Sequence, residues 1–296
     1  MPAVLNTNAA SLYASKNLQS AQSKMASSVE RLSSGLRINR AKDDAAGLGI
    51  AASVTSQING ANQGIRNLND GISIVQTAEG AISAAMEMGQ RILTLATQGA
   101  NETLGTNERT SIRNEMRQLI AAIDGISSRT KFSGNSLFMN ATNGTTTYTL
   151  QASSVTGDTI TLGAGAFIKL GTNGANVSSD TPASTVGQAG ALLTAINSAT
   201  WLTADINGVR TAASSFIDAL TTQRGLLGAF QNQIEYSVSN LTELSSNLSA
   251  ARSNIQDTDY ASETASLTKG QILQQAATAM LAQANQMPNV ILSLLK

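Results

Sequence analysis

The chain contains neither cysteine nor histidine. The first absence excludes disulfides, thiol catalysis and cysteine-ligated zinc. The second removes the commonest general base and metal ligand. Aromatic residues make up only 3% of the sequence, so Leu, Ile, Ala and Met must fill the interior, as they do in assemblies of long helices. Charge is scarce as well as balanced: 19 basic and 19 acidic residues amount to 13% of the chain, against about 25% in an ordinary domain. Such a chain sets up no field that gathers nucleic acid or an anionic membrane, and neither is expected as a partner. No apolar run approaches the ~20 residues of a membrane span, so membrane insertion is not expected. The opening MPAVLNTNAA lacks the basic head and apolar block of a cleaved secretory signal. Prolines stand only at 2, 182 and 288, which leaves most of the chain open to helices of any length.

Apolar periodicity fills that space. At the C-terminus Leu273, Ala276, Met280, Ala284, Met287, Ile291 and Leu294 recur in steps of three and four, with Lys269 the only charge between Thr264 and Leu295. At the N-terminus Leu5, Leu12, Leu18, Met25, Val29 and Leu32 make a similar seam, with Lys16 and Lys24 its only early charges. Each Leu, Ile or Met left in water forgoes roughly 1.5–3 kcal/mol of burial, so both seams need partners. Pairing them brings the two ends of the chain together. A heptad pattern returns from Leu48 to Ala96, interrupted by Gly60, Gly64, Gly71, Gly80 and Gly89. Each glycine costs about 1 kcal/mol against Ala in a helix interior and needs packing to support it. A third helix is expected after a turn at 99–107, capped by Thr106 or Asn107, with Ile112, Met116, Leu119, Ile123 and Ile126 on one face. From 130 to 200 the segments FSGNSLF, TTTYTLQAS, DTITLGAG and AFIKLG predict short strands and hairpins, and 186–199 predicts a short helix. The heptad resumes at Val209 and runs to Ile255. Pro288 predicts either a bend or a helix held together by its neighbours.

The expected fold is therefore mainly α: long antiparallel helices built from both terminal regions, with a small β-rich insert at about 130–200. Residues 1–44 with 257–296 are expected to form an inner helical domain and 45–256 an outer rod, without large additional domains. Arg37, Arg40, Lys42, Asp43 and Asp44 concentrate charge in the connector between them. Other motifs are weak. Gly47, Gly49 and Ala52 spell G-x-G-x-x-A, but no buried strand precedes them. Asp257 and Asp259 lack the remaining calcium ligands and read as a joint between helices. Asn143, Asn176, Asn240 and Asn247 head N-x-S/T triplets that a Ser- and Thr-rich chain produces by chance. No catalytic residue, metal site or cofactor is expected.

The runs LNTNAASLYASKNL, SGLRINRAKDDAAG and NLNDGISIVQTAEGAI, followed by ARSNIQDTDYASETASLTKG and LAQANQMPNVILSLLK, resemble the two terminal regions of bacterial flagellins, in order and at both ends. The resemblance covers roughly 1–140 and 205–296. It implies a secreted, extracellular subunit that assembles with copies of itself into the flagellar filament for swimming motility. It further implies export unfolded through the flagellar type III channel, an export chaperone and cap or junction proteins as partners, and terminal helices that fold on polymerisation. By the same resemblance, Gln90, Arg91, Leu95, Ala96 and Glu115 match the surface that Toll-like receptor 5 recognises, with Thr94 departing where an acidic residue is frequent. Two alternatives stand beside the filament subunit: a hook-filament junction protein, which shares the terminal features, and a monomeric helical adhesin presenting the central insert.

Overall fold

The computed structural model describes residues 8–138, 147–155, 157–162, 192–193, 195–197 and 203–294, and all their side chains except those of 203, 204 and 287–294. Its elements are α1 (Ala9–Ser34), α2 (Ala45–Gly99), α3 (Thr106–Arg129), β1 (Lys131–Phe132), β2 (Asn135–Ser136), β3 (Tyr148–Gln151), β4 (Thr159–Leu162), α4 (Thr203–Gln256) and α5 (Tyr260–Leu294). The expected mainly helical fold with a small β insert is the fold observed. Contacts divide the chain into two compact units, residues 1–58 with 246–296 and residues 59–245.

In the larger unit, helices α2, α3 and α4 and the strands surround one apolar core. The buried track of α2 runs Ala61, Gly64, Leu68, Gly71, Val75, Ala78, Ile82, Ala85, Gly89, Ile92, Ala96 and Gly99, a strict alternation of three- and four-residue steps. The glycines lie in this seam. A Cβ on Gly64 would collide with the carbonyl of Ala152, one on Gly71 with the side chain of Leu150, and one on Gly60 with Ser154. Alternate residues of one strand and its extension thus lie in a glycine-floored channel on the helix, and that contact offsets the helix propensity that glycine forfeits. On α4 the matching seam is Ile206, Val209, Ala213, Phe216, Leu220, Gln223, Leu227, Ile234 and Leu241.

The segments predicted as hairpins around FSGNSLF, TTTYTLQAS and DTITLGAG contain the observed strands. β1 and β2 pair antiparallel across Ser133 and Gly134, both at positive φ, 49° and 85°, as a tight right-twisted hairpin requires. β3 and β4 pair antiparallel with Leu150 opposite Ile160. The Tyr148 hydroxyl donates to the Ser136 carbonyl at 3.2 Å, joining the two hairpins. Leu192 and Ile196 enter the core from helical residues within the predicted short helix, while AFIKLG and most of 186–199 lie outside the described residues. The start of α3 corrects one expectation. Gly105, extended and without a side-chain bond, is the N-cap in place of Thr106 or Asn107, and Glu108 supplies the acidic charge of the first turn. Helix α5 continues without interruption through position 288.

Candidate assembly surface

The smaller unit is organised by the antiparallel pair α1 and α5. Asn8 caps α1 by accepting from the Ser11 amide and donates its side-chain N–H to the Ala284 carbonyl at 2.7 Å. Ser11 bonds Asn285 at 3.0 Å, Met25 packs beside Gly270, and Arg31 meets Glu263 at 3.6 Å. The buried positions of this pair are small and spaced by seven: Ala14, Ala21 and Ser28 on α1, and Gly270, Ala277 and Ala284 on α5. Small residues at a helix contact let the backbones approach closely, which leaves little room there for large side chains.

The large side chains therefore lie to the sides. Leu12 and Met280 are 63% and 64% exposed, Val29 and Leu273 50% and 45%, and Tyr13 and Ile272 are exposed as well. Leu18, Met25 and Leu32 are half-buried. A groove of about 630 Å³ runs along the pair, lined by Tyr13, Ala14, Ala21, Lys24, Leu273 and Met280 among others. Leu5 lies outside the described residues, as do the side chains of Met287, Ile291 and Leu294. Periodicity alone passed over Ala14, Ser28 and Gly270, because a search for large apolar residues discards small ones. Their common seven-residue spacing was the signal available.

The connector is built from local backbone chemistry. Gly35 ends α1 in the left-handed conformation at φ 72°, a turn that suits glycine. The two chain segments then lock together. Leu36 bridges Asp257, the Arg37 amide donates to the Gln256 carbonyl at 2.7 Å and the Thr258 amide to the Gly35 carbonyl at 2.9 Å. The Arg37 guanidinium reaches the Ile255 carbonyl at 2.6 Å. Arg40 pairs with Glu30 at 2.6 Å. The Asp43 carboxylate accepts from the Arg40 and Asn39 amides; the Arg40 hydrogen bond, ahead of the other causes, holds its pKa below the ordinary 3.8. Asp44 accepts from the Gly47 amide at 2.9 Å and so caps α2, while Lys42 is exposed. The expected joint at Asp257 and Asp259 is the break between α4 and α5, where Asp259 caps α5 through the Ala261 amide. Among the described residues no cluster of His, Cys, Asp or Glu could hold a metal ion, and no helix is long and apolar enough to cross a membrane.

In the larger unit, Gln90 and Arg91 are exposed, and Arg91 donates to the Glu115 carboxylate through Nε at 3.0 Å and Nη2 at 2.7 Å. Leu95, expected on the same surface, is 1% exposed. It belongs to the inward face of α2 and is no part of any outer surface of that unit, which corrects its placement.

A helix pair whose fully buried positions are small, with large apolar side chains left outside and few charges, is suited to packing against further helices. Residues 5–143 match the bacterial flagellin N-terminal helical region and residues 211–295 the C-terminal helical region. The chain is 37% identical to flagellin of Halalkalibacterium halodurans, covering 99% of this chain and 100% of the relative. It is 38% identical to flagellin of Bacillus subtilis, covering 99% of each. It is 36% identical to the flagellar filament 33 kDa core protein of Treponema phagedenis, covering 99% and 100%. A crystal structure of Bacillus cereus flagellin aligns at a TM-score of 0.47 and 28% identity, over 63% of this chain and 94% of that one. The chain belongs to the bacterial flagellin family. It is a structural subunit of the extracellular flagellar filament, and the junction-protein and adhesin alternatives find no support among these relatives.

Proposed function

We propose that the filament is held by the exposed sides of the α1–α5 pair, with Leu12, Leu18, Met25, Val29, Leu32, Leu273 and Met280 packing against copies of the same pair. Leu5, Met287, Ile291 and Leu294, which continue the apolar pattern of the two helices in the sequence, are assigned the same role. The observation that carries this reading is the exposure of large apolar residues on a helix pair whose fully buried positions are all small. Each buried Leu, Val or Met contributes roughly 1.5–3 kcal/mol, and a neutral polar surround avoids repeating like charges at short range. In this proposal residues 1–44 with 257–296 form the inner domain, 45–256 the outer rod, and the connector around Arg37, Arg40, Lys42, Asp43 and Asp44 fixes one to the other. The subunit leaves the cell unfolded through the flagellar type III channel, escorted by an export chaperone, and adds beneath cap or beyond junction proteins. Its terminal helices fold as they join the filament.

Gln90, Arg91 and Glu115 form the surface open to Toll-like receptor 5. The Arg91→Ala variant should weaken receptor signalling by free subunits while leaving the fold intact, because an exposed ion pair contributes only about 0.2–1 kcal/mol. The assembly proposal is tested by deleting residues 262–296. The truncated chain should lose filament growth by electron microscopy and keep cooperative thermal unfolding of the larger unit; growth at the full-length rate would contradict the proposal.

A further inference from the structure

We propose that Met280 is a peroxide-sensitive modification site, whose conversion to the sulfoxide blocks filament growth. The inference rests on the assembly surface proposed above. With no cysteine in the chain, no thiol competes for oxidant, and methionine becomes the side chain that peroxide attacks first. Five of the eight methionines have described side chains, and these differ widely in access. Met116 is fully buried in the larger core, and Met25, Met86 and Met88 are half-buried; among the described residues Met280 is the exposed one. It stands on the groove that also takes in Tyr13, Leu273 and Ala277, where Lys24 is the sole charged residue among the described lining residues.

The chemistry is a two-electron oxygen transfer. A sulfur lone pair attacks one oxygen of hydrogen peroxide, the O–O bond breaks, an S–O bond forms, and the second oxygen leaves as water after proton transfer. Sulfur is oxidised and peroxide reduced. The product carries a strong acceptor oxygen on what was an apolar thioether. Buried against the apolar side chains of another subunit, that oxygen gives up its water, and its desolvation opposes assembly. Reversal requires a methionine sulfoxide reductase and a thiol reductant.

The test uses chains in which Met25→Leu and Met287→Leu remove the other methionines of the proposed assembly surface. Free subunits with Met280 (wild type at this position) or Met280→Leu are treated with hydrogen peroxide, sulfoxide is mapped by mass spectrometry, and the critical concentration for growth on filament seeds is measured. Each protein is compared with its own untreated sample. Oxidation should raise the wild-type value about tenfold, the size expected for one unsatisfied acceptor, and leave the Met280→Leu ratio near one. Untreated Met280→Gln, which places a polar amide at the same point, should behave like the oxidised wild type, and reductase treatment should restore growth of the oxidised wild type but not of Met280→Gln. Equal losses in peroxide-treated wild type and Met280→Leu would overturn the inference, as would normal growth of Met280→Gln. Wild type that grows equally well before and after complete oxidation of Met280 sinks this inference alone, whereas untreated wild type that never grows sinks the assembly reading with it.

Discussion

Glycine at two positions of one helix does two different things. A side chain on Gly64 would strike the Ala152 carbonyl, while nothing lies within 4 Å of the position a Cβ would take on Gly80. Gly64→Ala should therefore destabilise the larger unit by about 1–3 kcal/mol, the usual cost of overpacking. Gly80→Ala should leave it unchanged or stabilise it by up to about 1 kcal/mol, the propensity difference. Thermal unfolding of the two variants side by side decides the matter, and equal effects would remove the glycine-channel explanation. Asp43 gives a second prediction. Its folded pKa is depressed, chiefly by the Arg40 amide, so its contribution to the connector is complete above the ordinary value and is lost as pH falls through the lower folded value. Carbon-13 NMR of assembled protein should place the Asp43 midpoint below 3.8; a midpoint at or above it would mean that the capping bonds do not form.

Helix faces were legible in the sequence to within one residue, and the reason for the remaining offset is physical. A seam drawn through the large apolar residues of α2 takes in Ile65, Ile72, Met86 and Leu93, which are half-buried. The fully buried line passes instead through Gly64 and Gly71, where a strand needs a floor without side chains, and on through Ala85 and Ile92. The same bias operates at the termini, where Leu12 and Met280 carry the periodic signal and are exposed, while Ala14, Ser28 and Gly270, outside it, are buried together with Ala21, Ala277 and Ala284. A pattern of apolar residues reports every face that is ultimately buried, and in a chain that completes its burial in a polymer it mixes contacts within the subunit with contacts between subunits. Connector geometry was less legible: the Arg37 bonds to the Ile255 and Gln256 carbonyls join positions more than two hundred residues apart. Ala277→Leu should force α1 and α5 apart at a cost of about 1–3 kcal/mol, seen as a lower dissociation temperature of filaments. An unchanged temperature would indicate that the small-residue contact is not retained after assembly.

The molecule as a whole divides its apolar residues between two uses. The larger unit closes its own core around fully buried Leu68, Ile82, Met116 and Phe216, and needs no partner to do so. The terminal pair fully buries only alanine, serine and glycine and leaves Leu12, Val29, Leu273 and Met280 exposed, as a subunit of a filament can. The most direct test compares wild type with Leu273→Asp in seeded growth, followed by electron microscopy and circular dichroism. Wild type should form long filaments with a rise in helicity, while Leu273→Asp should stay as subunits whose larger unit unfolds at the wild-type temperature. Filaments of Leu273→Asp that match wild type in length and growth rate would contradict assembly through the exposed side of the terminal helices.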